Sequence, residues 1–292
     1  MYPVIRALEK IKTGFNVYAL TYNGEDLCYA GGSMGMIGSL QMSTHSFFPL
    51  SRLGEPLFSL KYMECGLLAG SQAGNLWCMN KETGLGRIIY RCNSPVYDIQ
   101  ALDPYILLAL GNGQLHFLSA DTFLLSHTSQ LSSKALRKLL VRGEEIYIGA
   151  SDGAVYAYNA IGESKKIAVH AGSVFSLCIP ATGHRLYSGS MDAHLQVVLT
   201  DTGERLYDIP AHLYTINDLI LIGTDEKYLL SASRDKTIKL WASDTMQLLA
   251  VLDAAKGVMH RASVNKLIKS DDNRHFISGS DETSLILWLL ES

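Results

Sequence analysis

Short runs of apolar residues alternate with turn-forming residues along the whole chain. Residues 174–210 show the pattern most clearly, because β-branched, aromatic and leucine residues fill four successive runs there. These runs predict the strands Val174–Pro180, His184–Ser190, His194–Thr200 and Glu204–Pro210. Glycine-containing turns, Thr182-Gly183 and Thr202-Gly203, separate the first run from the second and the third from the fourth, and no long amphipathic helical pattern interrupts the chain. The pattern therefore predicts an all-β protein.

A small residue in the second predicted strand of each unit recurs at a nearly constant interval. The seven positions are Gly32, Gly70, Ala109, Gly149, Gly189, Ala232 and Gly279. Successive positions lie 38 to 47 residues apart, so seven units of about forty residues account for the chain. Four short strands per unit predict a seven-bladed β-propeller, because radially arranged sheets leave only short edges.

The two ends of the chain are predicted to close this ring. The seventh unit has only three predicted strands, Val264–Ser270, His275–Ser280 and Ser284–Leu290. Pro3–Glu9 precedes the first unit and has no blade of its own. We expect this segment to be the outer strand of the last blade, which hides both edges. Residues 1–292 are then a single domain.

Composition excludes several classes of protein. Hydrophobic residues make up 48% of the chain, which is enough for a large core and too many for a disordered protein. The net charge of −3, with dispersed basic residues, makes nucleic acid an unexpected partner. No apolar run approaches the ~20 residues that cross a bilayer, and the amino terminus lacks the apolar core of a signal peptide.

The five cysteines are scattered and lack metal-ligand spacing. They are Cys28, Cys65, Cys78, Cys92 and Cys178. Their odd number and mostly apolar neighbours favour small core residues of a reduced, cytoplasmic protein. No metal or other cofactor is predicted.

Segments near the carboxyl end, such as Leu230-Ser-Ala-Ser-Arg-Asp-Lys-Thr-Ile-Lys-Leu-Trp241, resemble the WD40-repeat family. In that family a blade can carry a hydrogen-bonded tetrad of His, Ser or Thr, Asp and Trp. The sixth unit has His212, Ser231, Asp235 and Trp241. The seventh unit has His260, Ser278, Glu282 and Trp288. The fifth unit has His170, Ser188 and Asp192, with Val198 in the Trp position.

The other units depart from this pattern. The fourth unit retains Asp152, and Tyr158 is predicted to take the aromatic position. The first three units have Thr13, Leu53 and Cys92 in the His position. No unit ends in a literal Trp-Asp pair. Buried hydroxyl, imidazole and indole groups need partners, so complete tetrads are expected to stabilise their blades.

Ser231, His212 and Asp235 also have the residue types of a hydrolase triad. Their recurrence at equivalent positions of other blades favours a structural role instead. The chain has no Gly-x-Ser-x-Gly elbow, phosphate-binding glycine loop or HExxH motif. The predicted innermost strands supply only Asp98 and Asp218 as acids and no His. A non-catalytic scaffold is therefore predicted, and a channel-centred enzyme or small-ligand binder is the alternative.

The resemblance also implies where a partner protein binds. In WD40 propellers the usual docking face carries the loops before the first strands and the turns between second and third strands. The positions exposed there are Met34, Met191, Leu213, Tyr214, Thr215, Arg234, Arg261, Ser263 and Asp281. Arginine and aromatic residues are common in interface hot spots, so an acidic or phosphorylated segment with an apolar anchor is expected.

Two alternatives on this face stay open. Arg234 could pair with a nearby surface carboxylate instead of a partner. Trp77 and the methionines Met34, Met36 and Met42 could fill gaps between blades or form a docking surface. The sequence leaves open whether the chain acts as a monomer or as a subunit of a larger complex.

Overall fold

Seven four-stranded antiparallel sheets form a ring in the computed structural model, which describes residues 3–159, 162–255 and 257–291. The strands are β1 (Val4–Lys12), β2 (Val17–Tyr22), β3 (Leu27–Gly32), β4 (Met36–Gln41), β5 (Ser46–Arg52), β6 (Leu57–Met63), β7 (Gly66–Ser71), β8 (Asn75–Met79), β9 (Gly86–Arg91), β10 (Val96–Leu102), β11 (Tyr105–Leu110), β12 (Gln114–Ser119), β13 (Leu125–Gln130), β14 (Leu136–Arg142), β15 (Glu145–Ala150), β16 (Ala154–Tyr158), β17 (Ser164–Val169), β18 (Val174–Cys178), β19 (Arg185–Ser190), β20 (His194–Leu199), β21 (Arg205–Pro210), β22 (Ile216–Ile222), β23 (Tyr228–Ser233), β24 (Ile238–Ala242), β25 (Leu248–Leu252), β26 (Val264–Lys269), β27 (His275–Ser280) and β28 (Ser284–Glu291). Short 3₁₀ turns cover Ser33–Gly35 and Thr224–Glu226. The seven-bladed propeller prediction is confirmed.

The amino-terminal strand closes the ring. β1 pairs antiparallel with β28, from Val4 opposite Glu291 to Lys12 opposite Ser284. The order of the last blade is β26-β27-β28-β1, as the sequence predicts. The strand runs three residues beyond the predicted Glu9 because Ile11 is buried in the core between the last and first blades.

Each blade begins with the same irregularity on its innermost strand. In all seven innermost strands the pairing register shifts around the second residue, as it does between Val17 and Ala19 of β2. The first residue of each of these strands is fully buried. Such a bulge bends the strand and turns the second side chain away from the sheet core.

The hydrophobic core lies between neighbouring blades. Leu240 of blade six and Val264, Phe276 and Trp288 of blade seven belong to one buried cluster. Full burial of a side chain of this size stabilises a fold by about 1.5–3 kcal/mol. These contacts make each blade depend on the next one around the ring.

The cysteines divide between the core and the surface. Cys28, Cys92 and Cys178 are buried, as expected of core residues, but Cys65 is exposed because it lies in the turn between β6 and β7.

Across the described residues, no helix has the length and apolar character to cross a membrane.

Candidate partner-binding face

Seven equivalent hydrogen bonds organise one face of the ring. In every blade, the turn between the second and third strands (the middle turn) donates a backbone N–H to the loop before the innermost strand (the leading loop). The pairs are Ser33 to Asn16, Gln72 to Pro56, Gly111 to Pro95, Ser151 to Ala135, Met191 to Ser173, Arg234 to Thr215 and Asp281 to Ser263, at 2.7–3.2 Å. The middle turns and leading loops therefore lie side by side on one face, called here the binding face.

The predicted partner-binding residues all belong to these turns and loops. Met34, Met191, Leu213, Tyr214, Arg234, Arg261 and Asp281 are exposed. Thr215 and Ser263 are half-buried, because each precedes the first buried residue of an innermost strand. The structure brings most of the set together on blades six and seven, while Met191 lies on blade five and Met34 on blade one.

The two arginines of this face carry free guanidinium groups. No described carboxylate forms an ion pair with Arg234 or Arg261, although ion pairs form elsewhere on the ring, such as that of Arg205 with Asp208. Asp281, on the same face, accepts a 2.8 Å hydrogen bond from Asn265. The alternative in which Arg234 pairs with a surface carboxylate is not observed.

Polar contacts join blades six and seven beneath this surface. The Asn217 amide donates to the Ser263 hydroxyl at 3.0 Å and to the Val264 carbonyl at 2.8 Å. Asn265 continues the series by donating to the carbonyl of Val17 in blade one at 3.0 Å. Ser263 is thus part of the joint between blades.

Blade six contains a complete buried tetrad. The His212 ring donates from Nδ1 to Asp235 at 2.8 Å, and its Nε2 lies 2.7 Å from the Ser231 hydroxyl. The indole of Trp241 donates to the same hydroxyl at 2.9 Å. All of these groups pair with one another, so none is left buried without a partner.

Charges in this tetrad are fixed by burial and hydrogen bonding. Burial lowers the pKa of His212, although Asp235 acts in the opposite direction. Burial alone would raise the pKa of Asp235, but hydrogen bonds from His212 and Thr237 lower it well below its usual range. The tetrad therefore holds a neutral imidazole that donates to a carboxylate.

Blade seven has the same network with an added cation from β1. His260 lies 2.8 Å from both Glu282 and Ser278, and Trp288 donates to Ser278 at 2.8 Å. Lys10 of β1 contacts Glu282 at 2.7 Å. Burial would raise the pKa of Glu282, but hydrogen bonds from Lys10, Arg261 N–H and His260 lower it to about 2.

Blade five has an incomplete network. His170 contacts the Ser188 hydroxyl at 2.8 Å, but its Nδ1 lies 3.5 Å from Asp192 without a hydrogen bond. This Nδ1 is the one fully buried side-chain nitrogen or oxygen without a hydrogen-bond partner in the described ranges. Val198 stands where the other two blades place an indole, so His170 is the single hydrogen-bond partner of the Ser188 hydroxyl among the described residues.

In blades two and four, other side chains form the hydrogen bonds that replace those of the tetrad. Asp152 accepts hydrogen bonds from the Ser132 hydroxyl at 2.9 Å and the Tyr156 hydroxyl at 2.5 Å. Tyr158 takes the aromatic position as predicted, since it pairs with Ile146 as Trp241 pairs with Leu229. Its hydroxyl bonds Ser129 at 2.8 Å, and the tyrosine that contacts Asp152 lies two residues earlier in β16. In blade two, Trp77 packs against the neighbouring core and donates to Glu55 at 2.7 Å.

The residues that resemble a triad have no exposed nucleophile. Ser231 is fully buried, and its hydroxyl already contacts His212 and Trp241. A nucleophilic serine needs an accessible oxygen beside an oxyanion pocket. In the part of the chain that the structure describes, no group of three His, Cys, Asp or Glu residues is arranged to hold a metal ion.

The two acids of the channel join adjacent blades. Asp98 accepts a hydrogen bond from the Leu139 N–H at 2.9 Å and pairs with Lys138 at 3.2 Å. Asp218 accepts one from the Leu267 N–H at 3.0 Å. Burial opposes the charge of Lys138, but the nearby carboxylates raise its pKa above the usual value.

Sequence reasoning missed a ring of side chains at the channel mouth. The second residues of the innermost strands are Tyr18, Phe58, Tyr97, Arg137, Phe175, Asn217 and Asn265. Five of the seven are aromatic or arginine, the types expected at hot spots. Their constant place after the first buried residue of each innermost strand was the available signal.

Comparisons with known proteins agree with this geometry. Residues 163–197 and 203–242 match a family described as WD domain, G-beta repeat. A ribosome biogenesis protein WDR12 homolog of Drosophila persimilis is 29% identical over 119 residues, or 39% of this chain and 27% of that protein. The LEC14B protein of Lithospermum erythrorhizon is 32% identical over 111 residues, or 36% of this chain and 23% of that protein.

A longer match reaches Pre-mRNA-processing factor 17 of Homo sapiens, 23% identical over 168 residues, or 56% of this chain and 28% of that protein. The chain thus matches about a quarter of the length of these relatives. The crystal structure of the WD40 beta propeller domain of Doa1 superposes with a TM-score of 0.87 at 13% identity, covering 98% of this chain and 97% of that domain. At that identity the likeness shows the fold alone.

Proposed function

We propose, from the premise that this chain belongs to the WD40-repeat family, that it is a non-catalytic scaffold that holds a partner protein on its binding face. The matched repeats and the seven-bladed ring confirm the family resemblance inferred from the sequence. Relatives named for ribosome biogenesis and pre-mRNA processing support a role in binding other proteins.

The observation that carries the site is the surface of blades five to seven. Arg234 and Arg261 are exposed and form no ion pair with any described residue, and apolar side chains of the same face are also open to solvent. Leu213 is 83% exposed, Tyr214 61% and Met191 55%. Exposed apolar side chains beside free arginines have the composition of a protein-binding hot spot.

The partner is an acidic or phosphorylated segment with an apolar anchor. Two unpaired guanidinium groups attract carboxylate or phosphate, which they can bind through paired N–H donors. Leu213 and Tyr214 supply the contact for an apolar side chain of the same segment. A propeller enzyme is less well supported, because Ser231 is buried and Asp98 and Asp218 already hold neighbouring blades together.

Affinity purification with the intact propeller, followed by mass spectrometry, identifies the partner. Arg234→Glu and Arg261→Glu should then each weaken binding at least tenfold, about 1.4 kcal/mol, without lowering the melting temperature. Arg87→Glu, at an exposed position of β9, is the matched control and should bind like the parent. Unchanged affinity in both binding-face variants would contradict this site.

The cytoplasmic location and the assembly state are further parts of the proposal. Five free cysteines, three of them buried, are compatible with a reducing compartment. Imaging of a tagged chain in cells tests the location. Light scattering of the purified chain, alone and with its partner, tests whether it is a monomer that joins a complex.

A further inference from the structure

The seven channel-mouth residues named above, called here the collar, surround an open cavity. It has a volume of about 290 Å³ and is lined by the whole collar together with Lys266. Every collar side chain is half-buried, so each presents part of its surface to this space. Asn265 of the collar contacts Asp281 of the binding face at 2.8 Å, so the cavity opens beside that face.

Arg137 is held rigidly within the collar. Its guanidinium carbon lies 4.0 Å from the ring centre of Tyr97 and 5.4 Å from that of Phe175. Its Nε donates to the Ser151 hydroxyl at 2.7 Å. Tyr97 is itself stacked on Phe58, with ring centres 5.3 Å apart. These contacts fix the plane of the guanidinium before any partner arrives.

The outer nitrogens of this guanidinium are available to a ligand. Among the described residues, only Nε of Arg137 has a hydrogen-bond partner, and no carboxylate forms an ion pair with the group. The two terminal nitrogens therefore keep their donors for an incoming acceptor. A fixed guanidinium with free terminal donors matches the two oxygens of a carboxylate.

The charges around the cavity favour the same ligand. Its lining includes the cations Arg137 and Lys266 and no carboxylate. Deeper in the channel, Lys61 and Lys138 add two more cations, against Asp98 and Asp218. Four cations therefore line the channel and its mouth against two carboxylates, so the channel has an excess of positive charge.

We propose that Arg137 is the receptor for one side-chain carboxylate of an acidic partner segment that crosses the channel mouth. Phe58, Tyr97 and Phe175 contact the hydrocarbon stem of that side chain, and the Arg137 terminal nitrogens bind its two oxygens. A cavity of this size is at the low end for ligand pockets, so it accommodates one side chain rather than a free metabolite.

This inference rests on the proposed function, since the ligand belongs to a protein partner. It adds a receptor residue on blade four that lies outside the Arg234 and Arg261 surface. The two sites can therefore fail separately. If Arg234→Glu and Arg261→Glu weaken partner binding but Arg137 variants do not, the scaffold proposal stands and the receptor proposal is wrong.

Nuclear magnetic resonance of the intact, arginine-labelled propeller tests the receptor directly. The probe is a five-residue peptide, blocked at both ends, with glutamate between two phenylalanines. We expect it to shift the Nε–H signal of Arg137 and to bind at least tenfold more tightly than the same peptide with glutamine. A third peptide, with glutamine and a free terminal carboxylate, should bind no better than the glutamine peptide.

Three variants complete the test. Arg137→Met should weaken the glutamate peptide at least tenfold, and Arg137→Lys should recover only part of the loss because lysine lacks two coplanar donors. Arg87→Met, remote from the collar on β9, should bind like the parent. An unshifted Arg137 signal in the parent protein, equal affinity for the first two peptides, or full binding by folded Arg137→Met would each overturn the proposal. Tighter binding of the third peptide would show that the receptor recognises the terminal carboxylate of a chain instead of a side-chain carboxylate.

Discussion

Blades two to four and blades five to seven make the same middle turn in two ways. Near the end of this turn a residue takes a positive φ of 59–87° in all six blades. Gly74, Gly113 and Gly153 fill the position in blades two to four, whereas Ala193, Lys236 and Thr283 fill it in blades five to seven. A residue with a Cβ atom loses roughly 1 kcal/mol in this conformation, and glycine does not.

Side-chain hydrogen bonds accompany the costly version of the turn. Asp235 accepts hydrogen bonds from the Thr237 N–H at 3.0 Å and the Thr237 hydroxyl at 2.7 Å, besides that from His212. Asp192 accepts one from the His194 N–H at 2.9 Å. The comparison teaches that the blade does not need a tetrad, because glycine can supply the turn. The carboxylate contact is not confined to turns without glycine, since Asp152 of blade four accepts a hydrogen bond from the Ala154 N–H at 2.9 Å beside Gly153.

Removal of residues 1–9 should give the largest effect, because it breaks blade seven while blades two to four keep all their strands. β28 would lose most of its partner strand, and the ring would open. We expect a loss on the order of several kcal/mol in the free energy of unfolding, measured by urea denaturation. Arg6→Ala removes only the exposed pair with Glu291 and is the control, with a loss below about 1 kcal/mol. Equal stability of the shortened and full chains would show that β1 does not hold the ring closed.

The ring itself could be predicted because its signals are local and repeated. Strand-length apolar runs, turn residues and the forty-residue interval all recur seven times, and a missing fourth strand identified β1. Strand ends were less predictable: β18 ends at Cys178 rather than Pro180, and β1 reaches Lys12. A strand ends where its hydrogen bonding to the neighbouring strands ends, and the apolar run of one strand does not encode those contacts.

The site was harder to predict from the sequence. The exposed turn and loop residues follow from the repeat frame, and so does the aromatic position of Tyr158. The bond between Tyr156 and Asp152 does not, since Ser132 replaces the usual histidine and the tyrosine nearer the turn reaches the carboxylate. The collar was missed because its seven members are scattered over the chain. Their proximity exists only after the ring closes.

Asp235→Ala and Asp192→Ala sharpen the comparison between a complete and an incomplete tetrad. Asp235→Ala removes the acceptor of a buried imidazole, so we expect a loss of ~1–3 kcal/mol in the free energy of unfolding. Asp192→Ala should cost less, about 1 kcal/mol, because His170 Nδ1 has no hydrogen bond to lose. Urea denaturation of both variants beside the parent measures the difference. If Asp192→Ala were as damaging as Asp235→Ala, the turn contacts rather than the imidazole would account for the stability.

The carboxylate of blade seven should make the stability of the protein depend on pH, which the turn glycines of blades two to four cannot do. Glu282 has a folded pKa of about 2, lowered from 4.5, so it contributes stability above pH 4.5 that is lost as the pH falls toward 2. The amide of Glu282→Gln does not take up a proton in this range, so the variant should give a flatter profile between pH 5 and pH 3. Because Glu282 is partly open to solvent, we expect a difference of only about 1 kcal/mol from the parent over this interval. His212 and His260, with pKa values lowered by burial, also favour unfolding as the pH drops below about 6.5, but they remain in both proteins. Because Glu282 raises the pKa of His260, the substitution also changes the titration of that imidazole, and the difference between the two urea profiles measures the Glu282–His260 pair. Parallel profiles would contradict the lowered pKa of Glu282 in the folded chain.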